Sequence, residues 1–142
     1  MAAMSESSAE SSSPSAAEQL RASLQASDLL SAAEEVGEGM YRLSWGSATV
    51  VCAARGSAVV AIAPMFENLP TKNVDDFCRR ILKLNAEMGG TAAFAIQTDG
   101  SVVLQCGRGL KGMDPDELKL LLNTVGKFAD DYDDVLDKEY YK

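Results

Sequence analysis

Histidine is absent from the 142 residues of this sequence. Histidine is the usual general base at neutral pH, the activating partner of serine and cysteine nucleophiles, and a frequent metal ligand. Its absence excludes Ser-His and Cys-His pairs and His-ligated metal centres. Gly107-Arg108-Gly109 resembles a phosphate loop only superficially, because no Gly-Lys-Ser/Thr follows it. We therefore expect no catalytic residue, no metal site and no cofactor, and we interpret the protein as non-enzymatic.

Cysteine and long apolar runs are also scarce. The three cysteines, Cys52, Cys78 and Cys106, are widely spaced and lie in apolar periodic segments. That pattern is typical of buried reduced thiols, not of a disulfide framework or a Cys-x-x-Cys metal knuckle. No run of about 18 apolar residues is present, so we expect no membrane span. Together these features predict a cytoplasmic protein.

Positive charge is in deficit. The chain has 13 Lys and Arg against 21 Asp and Glu, a formal charge of −8 and a pI near 4.5. A nucleic-acid backbone would be repelled by this charge, and so would an anionic membrane surface. We therefore expect neither as a partner; an acidic surface favours basic or apolar protein partners.

Carboxylates are abundant, and a general acid–base pair would need them in a pocket that shifts one pKa. Asp75/Asp76 and Asp114/Asp116/Glu117 instead coincide with predicted helix starts, where the helix dipole favours negative charge. The acidic run that begins at Asp130 lacks the glycine and ligand spacing of an EF-hand loop. A small hydrolase or metal-dependent enzyme is the alternative from another class, but the sequence supplies it with no nucleophile–base pair or ligand set.

The sequence divides into a tail and one domain. Residues 1–14 are rich in Ser, Glu and Ala, so we expect a disordered Ser-rich tail followed by an α+β domain over residues 15–142. A first helix is predicted from Ser15 to about Leu30, with Leu20 and Leu24 on its apolar face. The glycine-containing segment Glu34–Gly39 is expected to end it.

Three strands are predicted next, at Met40–Trp45, Ala48–Ala54 and Ala58–Phe66. The pairs Gly46-Ser47 and Gly56-Ser57 separate them and suit type II′ hairpin turns. The second and third strands are continuously apolar, which indicates partial cover on both faces. The sheet should therefore begin as an antiparallel meander.

A second helix is predicted from an N-cap at Asn73 through Met88. A hairpin over Asp99-Gly100 then joins Thr91–Gln97 to Ser101–Cys106, and a type I′ turn is expected there. Asp114-Pro115 begins the last helix. The predicted order is α-β-β-β-α-β-β-α, an antiparallel sheet with packed helices.

The apolar band of the second helix is wider than one sheet requires. Phe77, Ile81 and Leu84 follow the spacing of one buried face, and Cys78 and Leu82 extend it sideways. A two-fold dimer interface is one interpretation, and cover by a loop or another helix is the other. The first three strands likewise carry surplus apolar residues, which either the first helix covers or an extended partner peptide contacts.

The order of several short segments resembles the type III secretion chaperone-like superfamily, which contains CesT-type class I secretion chaperones and YbjN-like proteins. The segments are Ala63-Pro64, Leu69-Pro70, Ile81-Leu82-Lys83-Leu84-Asn85, Phe94-Ala95-Ile96, Asp99-Gly100, Val102-Val103-Leu104, Met113-Asp114 and Glu117-Leu118. The ending Ala129-Asp130-Asp131-Tyr132 is more similar to the YbjN-like branch.

The resemblance implies a homodimeric chaperone that holds an extended segment of a secreted effector protein. By the same resemblance, the partner-binding residues would be Leu20, Leu24, Tyr41, Leu43 and Val50. The dimer interface would involve Phe77, Cys78, Ile81 and Leu82. A YbjN-like regulatory or scaffold protein with the same fold is the alternative.

Overall fold

The computed structural model describes residues 15–142, and the expected disordered tail, residues 1–14, lies outside the described residues. The helices are α1 (Ala16–Ala26), α2 (Val74–Glu87) and α3 (Pro115–Leu136), with a 3₁₀ turn at Leu30–Ala32 and a π-helical turn at Asp137–Tyr141. The strands are β1 (Glu34–Gly37), β2 (Met40–Trp45), β3 (Ala48–Arg55), β4 (Ala58–Phe66), β5 (Ala93–Ile96) and β6 (Val102–Gly109).

The strands form one antiparallel sheet in the order β1-β2-β3-β4-β6-β5. The α+β class with helices packed on an antiparallel sheet is confirmed. Strand β1 is an addition to the predicted order, because its segment was expected only to end the first helix. It forms by pairing Glu34 with Arg42 and Glu35 with Tyr41, and the Arg42 guanidinium binds the Glu34 carboxylate at 2.6 Å. This strand exists through its pairing with the next strand, β2, which the apolar pattern of its own four residues does not indicate.

The helix ends follow local chemistry with two differences. Helix α1 ends at Ala26, before the predicted Leu30, because Asp28 takes a left-handed conformation with φ 60°. The amide of Leu29 then donates to the Leu24 carbonyl at 2.9 Å, which closes a Schellman motif. Asn73 precedes α2 as predicted, but its φ is 56° and its side chain makes no capping hydrogen bond within residues 15–142.

The turns confirm one prediction and correct another. Gly46 and Gly56 both have φ 59° at the first position of two-residue loops, as type II′ turns require. The Asp99-Gly100 turn is not type I′, because Gly100 has a positive φ whereas Asp99 does not. Gly100 donates to the Gln97 carbonyl at 2.9 Å, and the Asp99 carboxylate accepts from the Ser101 amide at 2.9 Å. The loop therefore has three residues, a turn followed by a glycine bulge.

All three helices pack on one face of the sheet. Helix α3 crosses β2, β3, β4 and β6, α1 lies over β3, and α2 lies beside β5. Alternate strand residues such as Val50, Ala61 and Leu104 point into this layer and are fully buried. Helix α3 begins where predicted, with Asp114 accepting from the Glu117 amide at 2.9 Å. The core thus lies between one sheet face and three helices.

Candidate functional site

The five residues predicted to contact a partner lie together in the core. Their side chains are at most 3% exposed, and they fill the space between α1 and strands β2 and β3. The residues are Leu20, Leu24, Tyr41, Leu43 and Val50. A partner would reach them only after α1 moved away from the sheet.

The predicted dimer residues separate into an inner and an outer pair. Phe77 and Ile81 are buried, and the Phe77 ring packs edge-on against Phe66 at a centroid distance of 6.4 Å. Leu82 is 66% exposed, and Cys78 is partly buried. The surplus apolar surface of α2 therefore lies at Leu82, on the side away from the core.

The face of the sheet opposite the helices carries a second set of apolar side chains, which we call the open face. It comprises Val51 and Ala53 of β3, Val60 and Ile62 of β4, and Val103 of β6, all at alternate positions to the core residues. Ala53, Ile62 and Val103 are at most 9% exposed, yet none belongs to the helix-covered core. Val51 and Val60 are partly exposed, so the open face is an apolar sheet face with some of its side chains accessible.

A shallow pocket of about 220 Å³ lies at one end of the open face. Its lining residues are Ile62, Pro64, Met65, Phe66, Glu67, Gln97, Ser101, Val102 and Val103. The local cause is an irregularity in the β4–β6 register between Pro64 and Phe66, where the strand bends. The pocket is mostly apolar, which suits an aliphatic or aromatic side chain better than a charged ligand.

Tyr140 and Tyr141 contact the loop that follows β4 and the start of α2. The sequence patterns did not predict these contacts. The Tyr140 hydroxyl donates to the Asp76 carboxylate at 2.6 Å, and the Tyr141 hydroxyl donates to the Asn68 carbonyl at 2.7 Å. The Tyr141 ring also stacks on Phe66 at 4.1 Å. These contacts join the chain end to the start of α2 and to the edge of the pocket.

The Cys52 and Cys106 thiols are poorly suited to nucleophilic chemistry. Burial raises the pKa of Cys52 to about 11, and burial likewise raises the pKa of Cys106 to about 11, although Arg108 opposes the second shift. A thiol with such a pKa is almost entirely protonated at neutral pH. Within residues 15–142, no cluster of three or more Cys, Asp or Glu side chains has a metal-binding arrangement.

None of the helices in residues 15–142 combines the length and apolar character that crossing a bilayer requires. No curated protein sequence is significantly similar to this chain. Comparisons of structure and of family profiles are informative, in contrast.

Solved structures with the same fold come from type III secretion chaperone complexes. A chain of the ExoU–SpcU complex of Pseudomonas aeruginosa matches with a TM-score of 0.56 and 14% identity, covering 69% of this chain and 83% of that one. The Yersinia pestis chaperone SycH, in complex with a fragment of YscM2, matches with a TM-score of 0.54 and 16% identity, covering 82% and 98%. A chain of the ExsC–ExsE complex matches with a TM-score of 0.55 and 14% identity, covering 72% and 80%. At these identities, the similarity establishes the secretion-chaperone-like fold.

The family comparison extends over most of the chain. The YbjN family profile, described as "Putative bacterial sensory transduction regulator", matches residues 16–138. The match includes all three α-helices and all six strands, and it ends within the π-helical turn at Asp137–Tyr141. The resemblance inferred from the sequence is therefore confirmed, and the chain belongs to the YbjN family.

Proposed function

We propose that this protein is a non-enzymatic binding module that holds an extended segment of another protein. The open face carries the proposal, because it is an apolar sheet surface that no helix of residues 15–142 covers. Contiguous apolar surfaces of this kind mark protein interaction sites in soluble proteins. Two further observations support the proposal: the fold is that of chaperones solved in complexes, and burial raises the pKa of the Cys52 thiol to about 11.

The proposed partner segment is apolar with neutral or basic flanks. The net charge of −8 disfavours an acidic segment, whereas the open face and its pocket accept aliphatic and aromatic side chains. A secreted effector protein is the partner class that the structural similarity suggests. Holding such a segment in extended form needs neither a nucleotide nor a catalytic residue.

The proposal includes a homodimer formed through α2 and β5. Leu82 on α2 and Ile96 on β5 are large apolar side chains with exposed fractions of 66% and 44%. Helix α2 packs directly beside β5, so both lie on the same side of the protomer. Burial of such residues against a second copy would remove apolar surface from water.

A second candidate is a regulatory or scaffold protein, and the YbjN family match favours it. The two candidates use the same surface and differ in what the partner does afterwards. A chaperone releases its partner for secretion, whereas a regulator changes the activity of a resident protein.

Affinity capture from the native host, read by mass spectrometry, tests the proposal. The comparison is between the wild type, Val51→Lys on the open face, and the control Gln25→Lys, which changes an exposed residue of α1 on the opposite side of the sheet. We expect a stoichiometric partner with the wild type and the control but not with Val51→Lys. Equal recovery by all three proteins would contradict a role for the open face. The identity of the partner then separates a secreted protein from a resident one.

A further inference from the structure

Strand β6 is longer than the strand beside it. Strand β5 has four residues and its last pair with β6 is Ala93 with Gln105, whereas β6 continues to Gly109. Before β5, Gly89 and Gly90 take positive φ angles of 64° and 82°, and the chain turns away. Within residues 15–142, the end of β6 therefore has a strand neighbour on one side only.

Hydrogen bonds around β5 and β6 show which way the backbone groups point. Asn85 accepts from the Phe94 amide at 2.7 Å and donates to the Phe94 carbonyl at 3.3 Å, so these groups point away from β6. At the hairpin end, the Gln97 amide donates to the Ser101 carbonyl at 2.9 Å. The direction of the backbone amide and carbonyl groups alternates from residue to residue along a strand. The amide and carbonyl groups of odd-numbered β6 residues therefore point toward the β5 side.

The other end of β6 agrees with this alternation. The Leu110 amide donates to the Ser57 carbonyl at 2.9 Å, so the backbone amide and carbonyl groups of even-numbered residues point toward β4. Gly107 and Gly109 consequently direct their amide and carbonyl groups toward the side that β5 does not reach. Both glycines and Arg108 between them are exposed.

The edges of the sheet at β5 and β1 are less open to pairing with another strand than the end of β6. On β5, the Asn85 side chain occupies the edge groups of Phe94. On β1, the strand is short and bears Glu34 and Glu35, and charged short strands resist pairing. At the end of β6, the Arg108 side chain donates to the Gly107 carbonyl at 2.9 Å. Because the Arg108 side chain is exposed, the backbone of an added strand can replace its hydrogen bond to the Gly107 carbonyl.

Two cavities flank the free end of β6. On the helix side, a cavity of about 230 Å³ is lined by residues that include Cys106, Leu120 and Leu121. Beside the open face, a cavity of about 410 Å³ is lined by residues that include Val60 and Gln105. Successive side chains of an added strand would point to opposite faces, toward one cavity and then the other. Leu120 is 64% exposed, which leaves an apolar wall for the helix-side residue.

We propose that an extended segment of the partner protein adds to the sheet at Gly107–Gly109 and places an apolar side chain against Leu120 and Leu121. The proposal rests on the function proposed above and names where the segment's backbone is held. A strand added at an edge gains affinity from main-chain hydrogen bonds and specificity from alternate side chains.

A second copy of the chain is a poorer occupant of this edge. Two β6 edges meeting about a two-fold axis at Arg108 would bring their arginines together, which is unfavourable. A contact of about three residues per chain is also far below the roughly 1,000 Å² that a specific interface needs. A peptide segment that carries no charge where it pairs with Gly107–Gly109 fits the site better.

The test uses a phage-displayed library of random dodecapeptides selected on the full chain, followed by synthesis of the enriched peptides. Fluorescence anisotropy then compares the wild type with Gly109→Pro, which removes an edge-facing amide, and Gly109→Ala, which retains it. A Cβ at position 109 meets no atom within 4 Å, so the alanine control has room. We expect about tenfold weaker binding for Gly109→Pro and less than twofold change for Gly109→Ala.

Leu120→Asp is a second variant, chosen because the Leu120 side chain is exposed. It should also weaken binding about tenfold, and the bound peptide should slow hydrogen exchange at the Gly107 and Gly109 amides. Unchanged affinity in both Gly109→Pro and Leu120→Asp overturns the edge site. If Val51→Lys alone abolishes binding, the edge site is wrong and the proposed function stands. If no peptide is enriched over an unrelated protein, both proposals fail.

Discussion

The indole ring of Trp45 lies directly against Gly126, so that a Cβ added at position 126 would lie 2.6 Å from the Trp45 Cγ atom. The indole Nε1 also donates to the Asn123 side-chain oxygen at 3.0 Å. The absence of a side chain at Gly126 therefore sets the distance between α3 and the end of β2.

Gly126→Ala should destabilise the protein despite the better helix propensity of alanine. The gain of about 1 kcal/mol from propensity is outweighed by overpacking, which costs ~1–3 kcal/mol. We expect a net loss of about 1 kcal/mol in the free energy of unfolding, measured by urea denaturation followed by circular dichroism. Lys127→Ala on the same helix is the control and should change stability by less than about 0.5 kcal/mol. A more stable Gly126→Ala protein would contradict the close packing.

Asn85→Ala should loosen β5. Because Asn85 is the partner of both the amide and the carbonyl of Phe94, its removal leaves two edge groups without their protein partner. The expected loss is about 1–3 kcal/mol, with faster hydrogen exchange at the Phe94 amide. Asn85→Asp keeps an acceptor but loses the donor, so it should lie between alanine and the wild type. Unchanged exchange at Phe94 in Asn85→Ala would show that the contact does not protect the strand.

Stability should fall at alkaline pH because of Cys52. Burial raises the pKa of this thiol from its ordinary value of 9.0 to about 11, so the folded state favours the protonated form. The contribution is fully present below pH 9 and is lost as the pH rises through 11. We expect the free energy of unfolding to decline over this range in the wild type. In Cys52→Ala, the decline between pH 9 and 11 should be smaller; an identical decline would assign it to other groups.

Leu82→Asp should dissociate the proposed homodimer. An aspartate introduced into an apolar interface must bury its charged carboxylate, which is unfavourable. An aspartate introduced on a surface that stays in water has no such cost. Light scattering should give a mass near 15.1 kDa for Leu82→Asp and twice that value for the wild type. Leu120→Asp is a matched control, because Leu120 and Leu82 are almost equally exposed, at 64% and 66%. A wild-type mass of one chain would remove the dimer from the proposed function.

The turns and helix starts were predictable where one residue controls the local geometry. Gly46, Gly56, Asp114 and Pro115 act within a few residues of themselves, so their effects could be inferred from the sequence. The turn at Asp99 was mispredicted because its carboxylate binds the Ser101 amide, a local competition that the residue pair does not reveal. Strand β1 was missed because its existence depends on pairing with β2.

The candidate site was harder to predict than the fold. Apolar periodicity identified Leu20, Leu43 and Phe77 as face-forming residues, but it could not distinguish a core contact from a partner contact. The continuous apolar runs of β3 and β4 indicated partial cover on both faces, whereas no helix of residues 15–142 covers the open face. The free end of β6 follows from the unequal lengths of two strands and the turn at Gly89-Gly90. Residue pattern carries no information on where a neighbouring strand stops.

The sequence alone determined the succession of helices and strands apart from β1, the acidic charge and the exclusion of histidine-dependent catalysis. These properties depend on composition and on interactions among residues close in the chain. Only the tertiary structure determined which apolar side chains the helices cover, which remain on the open face, and where the sheet has an unpaired edge. These depend on contacts between segments far apart in sequence, and each contact is settled by packing in three dimensions.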